Sequence, residues 1–166
     1  MPLEIIEATS PHHNARPDPR IDCIVVHDTE SATAREAVSW FESPESKVSA
    51  HYVLDRDGTI YRCVADGRRA WHAGESLLAG RRNVNDFSVG IELAGFASQP
   101  YPDRQIDALV DLCVELCARF PAITPERIVG HEHIAVPAGR KTDPGPHFPW
   151  DLVRARIRLG RDRQTA

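Results

Sequence analysis

The sequence predicts an α/β fold: a single domain with a mixed central β-sheet of five to six strands, flanked by helices on both faces. Residues 21–28 form a nearly continuous apolar run rich in Ile and Val, typical of a strand buried on both faces. Residues 102–120 repeat apolar side chains at helical spacing. A hairpin pattern in residues 49–65 makes the sheet mixed. At 166 residues the chain can bury one core, so we expect one domain over 1–166.

The first half of the chain contains a strand, a helix and the hairpin. The segment 31–43 follows the buried strand and is predicted to be a short helix, which Ser31 or Thr33 caps. The hairpin turns at the sequence DRDG, with an apolar strand on each side.

The second half supplies two strands and two helices. A strand is predicted at 87–95, after the turn-forming NVND. Pro102 opens the long helix and Pro121 stops it. A short strand at 127–131 and a closing helix at 150–160 complete the interleaved pattern.

Composition excludes two classes of partner. The net charge is −4, and the basic residues that follow Asp151 are typical of a solvated last helix, so we expect no nucleic-acid partner. No apolar run approaches the roughly 20 residues of a membrane span, so we expect no membrane insertion. The start, MPLEIIEATS, lacks a signal peptide, which predicts synthesis in the cytoplasm. The four cysteines form no CxxC pair and are expected to be reduced core residues. The protein is expected to be a monomer.

Two histidines end apolar strands, at the positions where α/β sheets build their sites. His27 follows Ile-Val-Val, and His131 follows Ile-Val-Gly. Asp143 lies twelve residues after the second histidine, in the Pro- and Gly-rich loop GRKTDPGP. Two His and one carboxylate are what a catalytic zinc takes. Because 104 residues separate the histidines, only the fold can bring them together.

Five ordered motifs carry a family resemblance: VVHDT, VSAHYVLDRDG, RAWHAG, NDFSVGIELAG and GRKTDPGP. From about Ser10 to Trp150 the chain resembles the type 2 N-acetylmuramoyl-L-alanine amidases. That family includes amidase-type phage lysozymes and peptidoglycan recognition proteins. The likeness is strong to the cytoplasmic amidases that recycle anhydro-muropeptides, which share NDFS-GIEL-G and RKTDPGP.

The resemblance implies a role for each of five residues. His27, His131 and Asp143 correspond to the zinc ligands. Glu92 corresponds to the acid–base group that acts on the attacking water, and Lys141 to the cation that faces the developing oxyanion.

Three further residues are candidates for the same site. His133 is a rival to Asp143 as the third ligand, because His-x-His on an extended segment can direct both imidazoles to one metal. Trp71 and His72 are predicted to line the cleft, where an aromatic face packs on sugar or stem peptide.

The resemblance implies a hydrolase that cuts the amide between the lactyl group of N-acetylmuramic acid and L-alanine, in peptidoglycan or muropeptides. Two alternatives are a peptidoglycan-binding module without activity and a zinc hydrolase of another amide. No separate cell-wall-binding domain is expected.

Two departures from the recycling amidases leave the biological setting open. Only 23 residues separate His27 from the His of SAHY, fewer than in those enzymes, and the loop after His131 is longer. A recycling enzyme and a phage lysin that reaches the wall by host lysis both fit, as do intact wall and soluble muropeptide as substrate.

Overall fold

Ten strands and four α-helices are present in a computed structural model that describes residues 2–165. Met1 and Ala166, the ends of the predicted domain 1–166, lie outside the described residues. The strands are β1 Ile5–Glu7, β2 His13–Ala15, β3 Cys23–Asp28, β4 Tyr52–Leu54, β5 Ile60–Arg62, β6 Arg68–Ala70, β7 Leu77–Leu78, β8 Arg81–Arg82, β9 Ser88–Leu93 and β10 Ile128–Gly130. The helices are α1 Ala34–Glu42, α2 Asp103–Arg119, α3 His131–Ile134 and α4 Trp150–Thr165.

The central sheet has six strands in the order β1-β5-β4-β9-β3-β10. Only β4 and β5 pair antiparallel within it, and the other four pairs are parallel. The predicted mixed sheet and its hairpin are therefore confirmed. The hairpin closes where Gly58 adopts φ +94, a left-handed conformation that glycine takes without strain.

One face of the sheet packs against the two long helices. Ile24 and Ile91 of the sheet lie in one buried cluster with Leu109 and Leu116 of α2 and Ile157 of α4. The α2 stripe predicted at 102–120 is confirmed, with Pro102 as the N-cap.

The other face is covered by α1 and by loops. Val38 and Phe41 of α1 pack with Val53 of β4 in a second cluster. Thr33 is the N-cap of α1, which confirms one of the two predicted alternatives. Its hydroxyl donates to the Glu36 carboxylate and does not accept a backbone N–H of the helix. Helices on both faces therefore match the prediction.

Several short elements escaped sequence analysis. The strands β1, β2, β6, β7 and β8 have two or three residues each and lie largely at the surface, so they carry no apolar run or alternation. The closing helix, predicted at 150–160, continues to Thr165 because Gly160 does not end it.

Two other sequence predictions concern the state of the cysteines and the presence of membrane-spanning helices. All four cysteines are free and buried, as expected of reduced core residues. Among the described residues no helix has the length and apolarity to cross a bilayer.

Leu116→Ala should lower the free energy of unfolding by about 2–5 kcal/mol, because the fully buried side chain leaves a cavity between α2 and the sheet. Leu159→Ala is the matched control on α4, where the leucine is 58% exposed. It should change stability by less than about 0.5 kcal/mol in urea denaturation. Equal losses for the two variants would contradict this packing.

Candidate metal centre and catalytic cleft

The carboxyl ends of three parallel strands bring the predicted site residues together. His27 lies near the end of β3, directly opposite Glu92 on β9. His131 follows Gly130, the last residue of β10, which pairs with β3 on its other side. The parallel register thus unites residues that are 104 positions apart in the sequence.

Three ligand-type atoms converge at this edge of the sheet. His27 Nδ1 lies 3.0 Å from His131 Nδ1. Asp143 Oδ2 lies 3.3 Å from His27 Nδ1 and 3.2 Å from His131 Nδ1. Two imidazole nitrogens and one carboxylate oxygen form a donor set that suits a divalent transition metal. The residues present therefore fit a bound metal ion.

Hydrogen bonds on the far side of each ring keep these nitrogens available. His131 donates its Nε2–H to the Ala73 carbonyl at 3.0 Å, so its Nδ1 carries the lone pair. His27 Nε2 lies 2.9 Å from His72 Nδ1, and His72 Nε2 lies 3.1 Å from Ser88 Oγ. A His27 that presents its Nδ1 lone pair donates to His72, which in turn donates to Ser88.

The His72 ring fits beneath His27 only because residue 90 has no side chain. A Cβ atom on Gly90 would overlap the His72 ring. The Gly90 N–H instead donates to His51 Nδ1 at 3.0 Å, and the His51 and His72 rings meet edge to face. The buried histidines therefore pack as one layer over β9.

Electrostatics favour the protonation states that a metal requires. Burial lowers the pKa of His27 to about 4, so the ring is neutral at pH 7. Burial would raise the pKa of Asp143, but the adjacent His131 and His27 side chains outweigh it and hold that pKa below its ordinary value. A neutral imidazole and an ionised carboxylate are the forms that bind metal.

The loop that carries Asp143 is fixed at both sides of the ligand. The Asp143 carbonyl accepts the Glu132 N–H at 3.0 Å. The Tyr101 hydroxyl donates to the Pro144 carbonyl at 2.6 Å. The carboxylate is thus held by backbone contacts, as the Pro- and Gly-rich sequence predicts.

His133, the rival third ligand, lies outside the cluster. Its Nδ1 accepts the Gly130 N–H at 2.8 Å, and its ring packs against Trp150. The segment after His131 is the short helix α3 rather than an extended strand. A helix directs residues i and i+2 to different sides, which is why the His-x-His alternative does not form.

Glu92 lies beside the cluster on the same face of the sheet as His27. Its Oε2 is buried and has no hydrogen-bond partner among the described residues. Burial raises the pKa of Glu92 well above its ordinary value, and the nearby charges of Asp143 and Asp28 add to this effect, while Lys141 opposes it. A carboxyl group with a raised pKa is suited to accept and return a proton during a reaction.

An open cleft of about 320 Å³ joins the predicted residues. The residues that line it include His27, His131, Asp143, Glu92, Lys141, Trp71 and His72. Lys141 is exposed, Trp71 is half-buried, and His72 is buried in the floor. Seven of the eight residues singled out from the sequence thus line one cleft, and His133 is not among them.

Sequence analysis missed the groups that hold these residues. The Ala73 carbonyl and the Ser88 hydroxyl carry no sequence signal, because any residue has a carbonyl and serines are common. Asp28 also lines the cleft, and burial raises its pKa to about 6. Its position next to His27 was the available signal.

Metal-type ligands that converge in an open cleft, with a buried carboxyl group next to them, are what metal-dependent hydrolases use. The comparison with known proteins makes the class specific. The family model of N-acetylmuramoyl-L-alanine amidase matches residues 17–146, and the chain belongs to this family.

Three similar proteins illustrate the relationship. The 1,6-anhydro-N-acetylmuramyl-L-alanine amidase AmpD of Enterobacter cloacae is 36% identical over 173 residues, covering 93% of this chain and 91% of that protein. The crystal structure of a Se-Met AmpD derivative superposes with a TM-score of 0.83 at 36% identity, covering 96% of each chain. The Escherichia coli amidase AmiD, solved with anhydro-N-acetylmuramic acid-L-Ala-D-γ-Glu-L-Lys, gives 0.72 at 33% identity, covering 86% of this chain and 60% of that one.

Asp143→Ala should abolish tight binding of Zn²⁺ to protein stripped with a chelator, because one of three converging ligands is lost. His133→Ala is the matched control from the same loop region and should bind Zn²⁺ as the wild type does. Isothermal titration calorimetry measures both. Retention by Asp143→Ala together with loss by His133→Ala would reverse the ligand assignment.

Proposed function

We propose that the chain is a zinc-dependent N-acetylmuramoyl-L-alanine amidase that acts on muropeptides of the 1,6-anhydro type. The observation that carries the proposal is the convergence of His27, His131 and Asp143 beside Glu92. It occurs in a chain that shares 36% identity with an anhydro-muropeptide amidase over more than nine-tenths of both proteins.

Zinc is the proposed ion, with His27 Nδ1, His131 Nδ1 and one Asp143 oxygen as its ligands. Two imidazoles and a carboxylate match the ligand number of catalytic zinc, which leaves a coordination position open. When bound, zinc supplies the polarisation of the scissile carbonyl and lowers the pKa of water to about 7.

Glu92 is the proposed proton carrier. Its raised pKa lets the carboxylate take a proton from the attacking water and return it to the departing alanine nitrogen. Its Oε2 has no hydrogen-bond donor among the described residues, which leaves it available for that transfer.

Lys141 is the proposed oxyanion donor. Its side chain lines the same cleft as Glu92, and its ammonium group would donate to the carbonyl oxygen as negative charge develops there. The two residues also differ in their surroundings, because burial raises the pKa of Glu92 well above its ordinary value, whereas Lys141 is exposed.

Trp71 and His72 are proposed to shape the substrate cleft in different ways. Trp71 donates its indole N–H to Asn14 Oδ1 at 3.3 Å, which fixes the ring at the cleft wall for packing against substrate. Both ring nitrogens of His72 already face His27 and Ser88. His72 therefore gives the cleft its floor and orients His27.

The two alternative functions have less support. A binding module without activity has no use for a complete ligand set beside a buried, unpartnered carboxyl group. A hydrolase of an unrelated amide is disfavoured because similar proteins were solved with muropeptide ligands, as for AmiD. A peptidoglycan-derived substrate is thus the proposed partner.

Glu92→Gln should retain zinc and thermal stability but lower kcat by about 10²–10⁴-fold, because the amide is isosteric and cannot carry the proton. Glu126→Gln is the control. Glu126 lies just before β10, and its exposed carboxylate forms an ion pair with Arg158. Turnover assays and elemental analysis check both variants. A Glu92→Gln enzyme within threefold of wild type would remove Glu92 from the mechanism.

Digestion of a soluble 1,6-anhydro-muropeptide should release free stem peptide with a new L-alanine amino terminus, detected by mass spectrometry. Removal of zinc by a strong chelator should stop the release, and added zinc should restore it. New reducing sugar ends without free L-alanine amino groups would indicate a glycosidase and contradict the proposal.

A further inference from the structure

The two proposed imidazole ligands are supported from behind by two consecutive residues. His27 Nε2 lies 2.9 Å from His72 Nδ1, and His131 Nε2 lies 3.0 Å from the Ala73 carbonyl oxygen. His72 and Ala73 belong to the connection between β6 and β7, outside both strands. The position of this dipeptide therefore decides how both imidazoles present their Nδ1 atoms to a metal.

One side-chain oxygen holds that dipeptide. Asn85 Oδ1 accepts the His72 N–H at 3.1 Å and the Ala73 N–H at 2.8 Å, and both hydrogen bonds are buried. Because both partners are N–H donors, the amide must direct its oxygen toward them. Asn85 thus takes the place that a neighbouring strand would have in a sheet.

Asn85 is itself held in a fixed turn. It is the middle residue of a short 3-10 helix, Val84–Asp86, which precedes β9. The Val84 N–H donates to Ser76 Oγ at 3.0 Å, which ties this turn to the end of the connection that contains His72 and Ala73. The side chain of Asn85 therefore reaches the dipeptide from a defined backbone position.

Arg16 clamps the same turn from the other side. Its guanidinium donates at 2.9–3.2 Å to four backbone carbonyls, those of Asp66, Asn85, Asp86 and Ser88. Burial lowers the pKa of Arg16 to about 10, so the side chain remains cationic at pH 7. The rigid fork of the guanidinium thus joins the Asn85 turn to the first residue of β9.

We propose that Asn85 is a positioning residue of the metal centre, which aligns both imidazole ligands through the backbone of His72 and Ala73. This inference rests on the proposed zinc site and adds to it a residue that is not a ligand. Loss of the Oδ1 acceptor would leave two buried N–H groups without their partner. The dipeptide would then shift, and the supports of His27 and His131 would move together.

Two other roles of a buried asparagine predict different results. A purely structural link would lower stability and leave metal binding unchanged. A substrate contact would raise KM and leave metal binding unchanged, and Asn85 does border a cavity of about 300 Å³ beside the cleft. A positioning role instead changes the affinity for the metal and the geometry of its ligands.

The test measures zinc binding by competition with a chelator of known affinity. Asn85→Ala should raise the dissociation constant for Zn²⁺ by about tenfold, as is typical when the support of a ligating histidine is lost. In the Co²⁺-loaded protein it should also alter the visible absorption bands, which report ligand geometry. Asn85→Asp should remain within about threefold of the wild type, because a carboxylate oxygen accepts the same two N–H groups.

Gln105→Ala is the matched control. Gln105 is a buried side-chain amide on α2 that donates to the Leu54 and Ala94 carbonyls, each at 2.9 Å. Its loss should lower the thermal midpoint of unfolding as Asn85→Ala does, since each variant removes two buried hydrogen bonds. The dissociation constant for Zn²⁺ and the Co²⁺ spectrum should match the wild type.

The outcomes separate the inference from the metal centre on which it rests. Wild-type zinc affinity and Co²⁺ spectrum in Asn85→Ala would overturn the positioning role, whether or not KM rises. Equal losses of zinc affinity in Asn85→Ala and Gln105→Ala would overturn it too, because the loss would then follow stability. If Asn85→Ala does not fold, Asn85→Ser replaces it, since the shorter hydroxyl cannot span both N–H groups. A wild type that binds no Zn²⁺ would overturn the metal centre itself.

Discussion

Three electron-rich atoms held 3.0–3.3 Å apart in a buried pocket repel one another unless a cation lies among them. This constraint governs the architecture around His27, His131 and Asp143. The sheet brings the two imidazoles side by side, and backbone contacts prevent the loop that carries Asp143 from relaxing away. The fold thus holds a coordination geometry that the side chains alone would not adopt.

The remaining polar groups of the cleft follow from that centre. His72 and the Ala73 carbonyl bind the outer nitrogens of the two imidazoles, which sets the tautomer that each ring can adopt. Glu92 lies one strand away, at the same level of the sheet as His27. One register of β3 and β9 therefore positions both the proposed proton carrier and a candidate metal ligand, and loops add the charge and shape at the rim.

Sequence analysis identified the parts whose signal is local. Local sequence patterns predict the Ile- and Val-rich strand, the amphipathic α2 and the hairpin. A histidine at the end of a strand indicates a site. Sequence analysis could not detect contacts that depend on tertiary geometry, such as Ser88 behind His72. It could not choose between Asp143 and His133 from spacing, since α3 is only four residues long and its pattern is too short to distinguish from a strand.

The missing side chain at Gly90 has a consequence for how this sequence can change. Any other residue at position 90 would compete with the His72 ring for the same volume, and the His72 ring in turn supports His27. Substitutions at positions 90 and 72 are therefore epistatic. A larger residue at position 90 is tolerated only after residue 72 has become smaller. The intermediate in that order of substitutions has no His72 ring to support His27. Libraries built to diversify the cleft should vary the two codons jointly or keep both fixed.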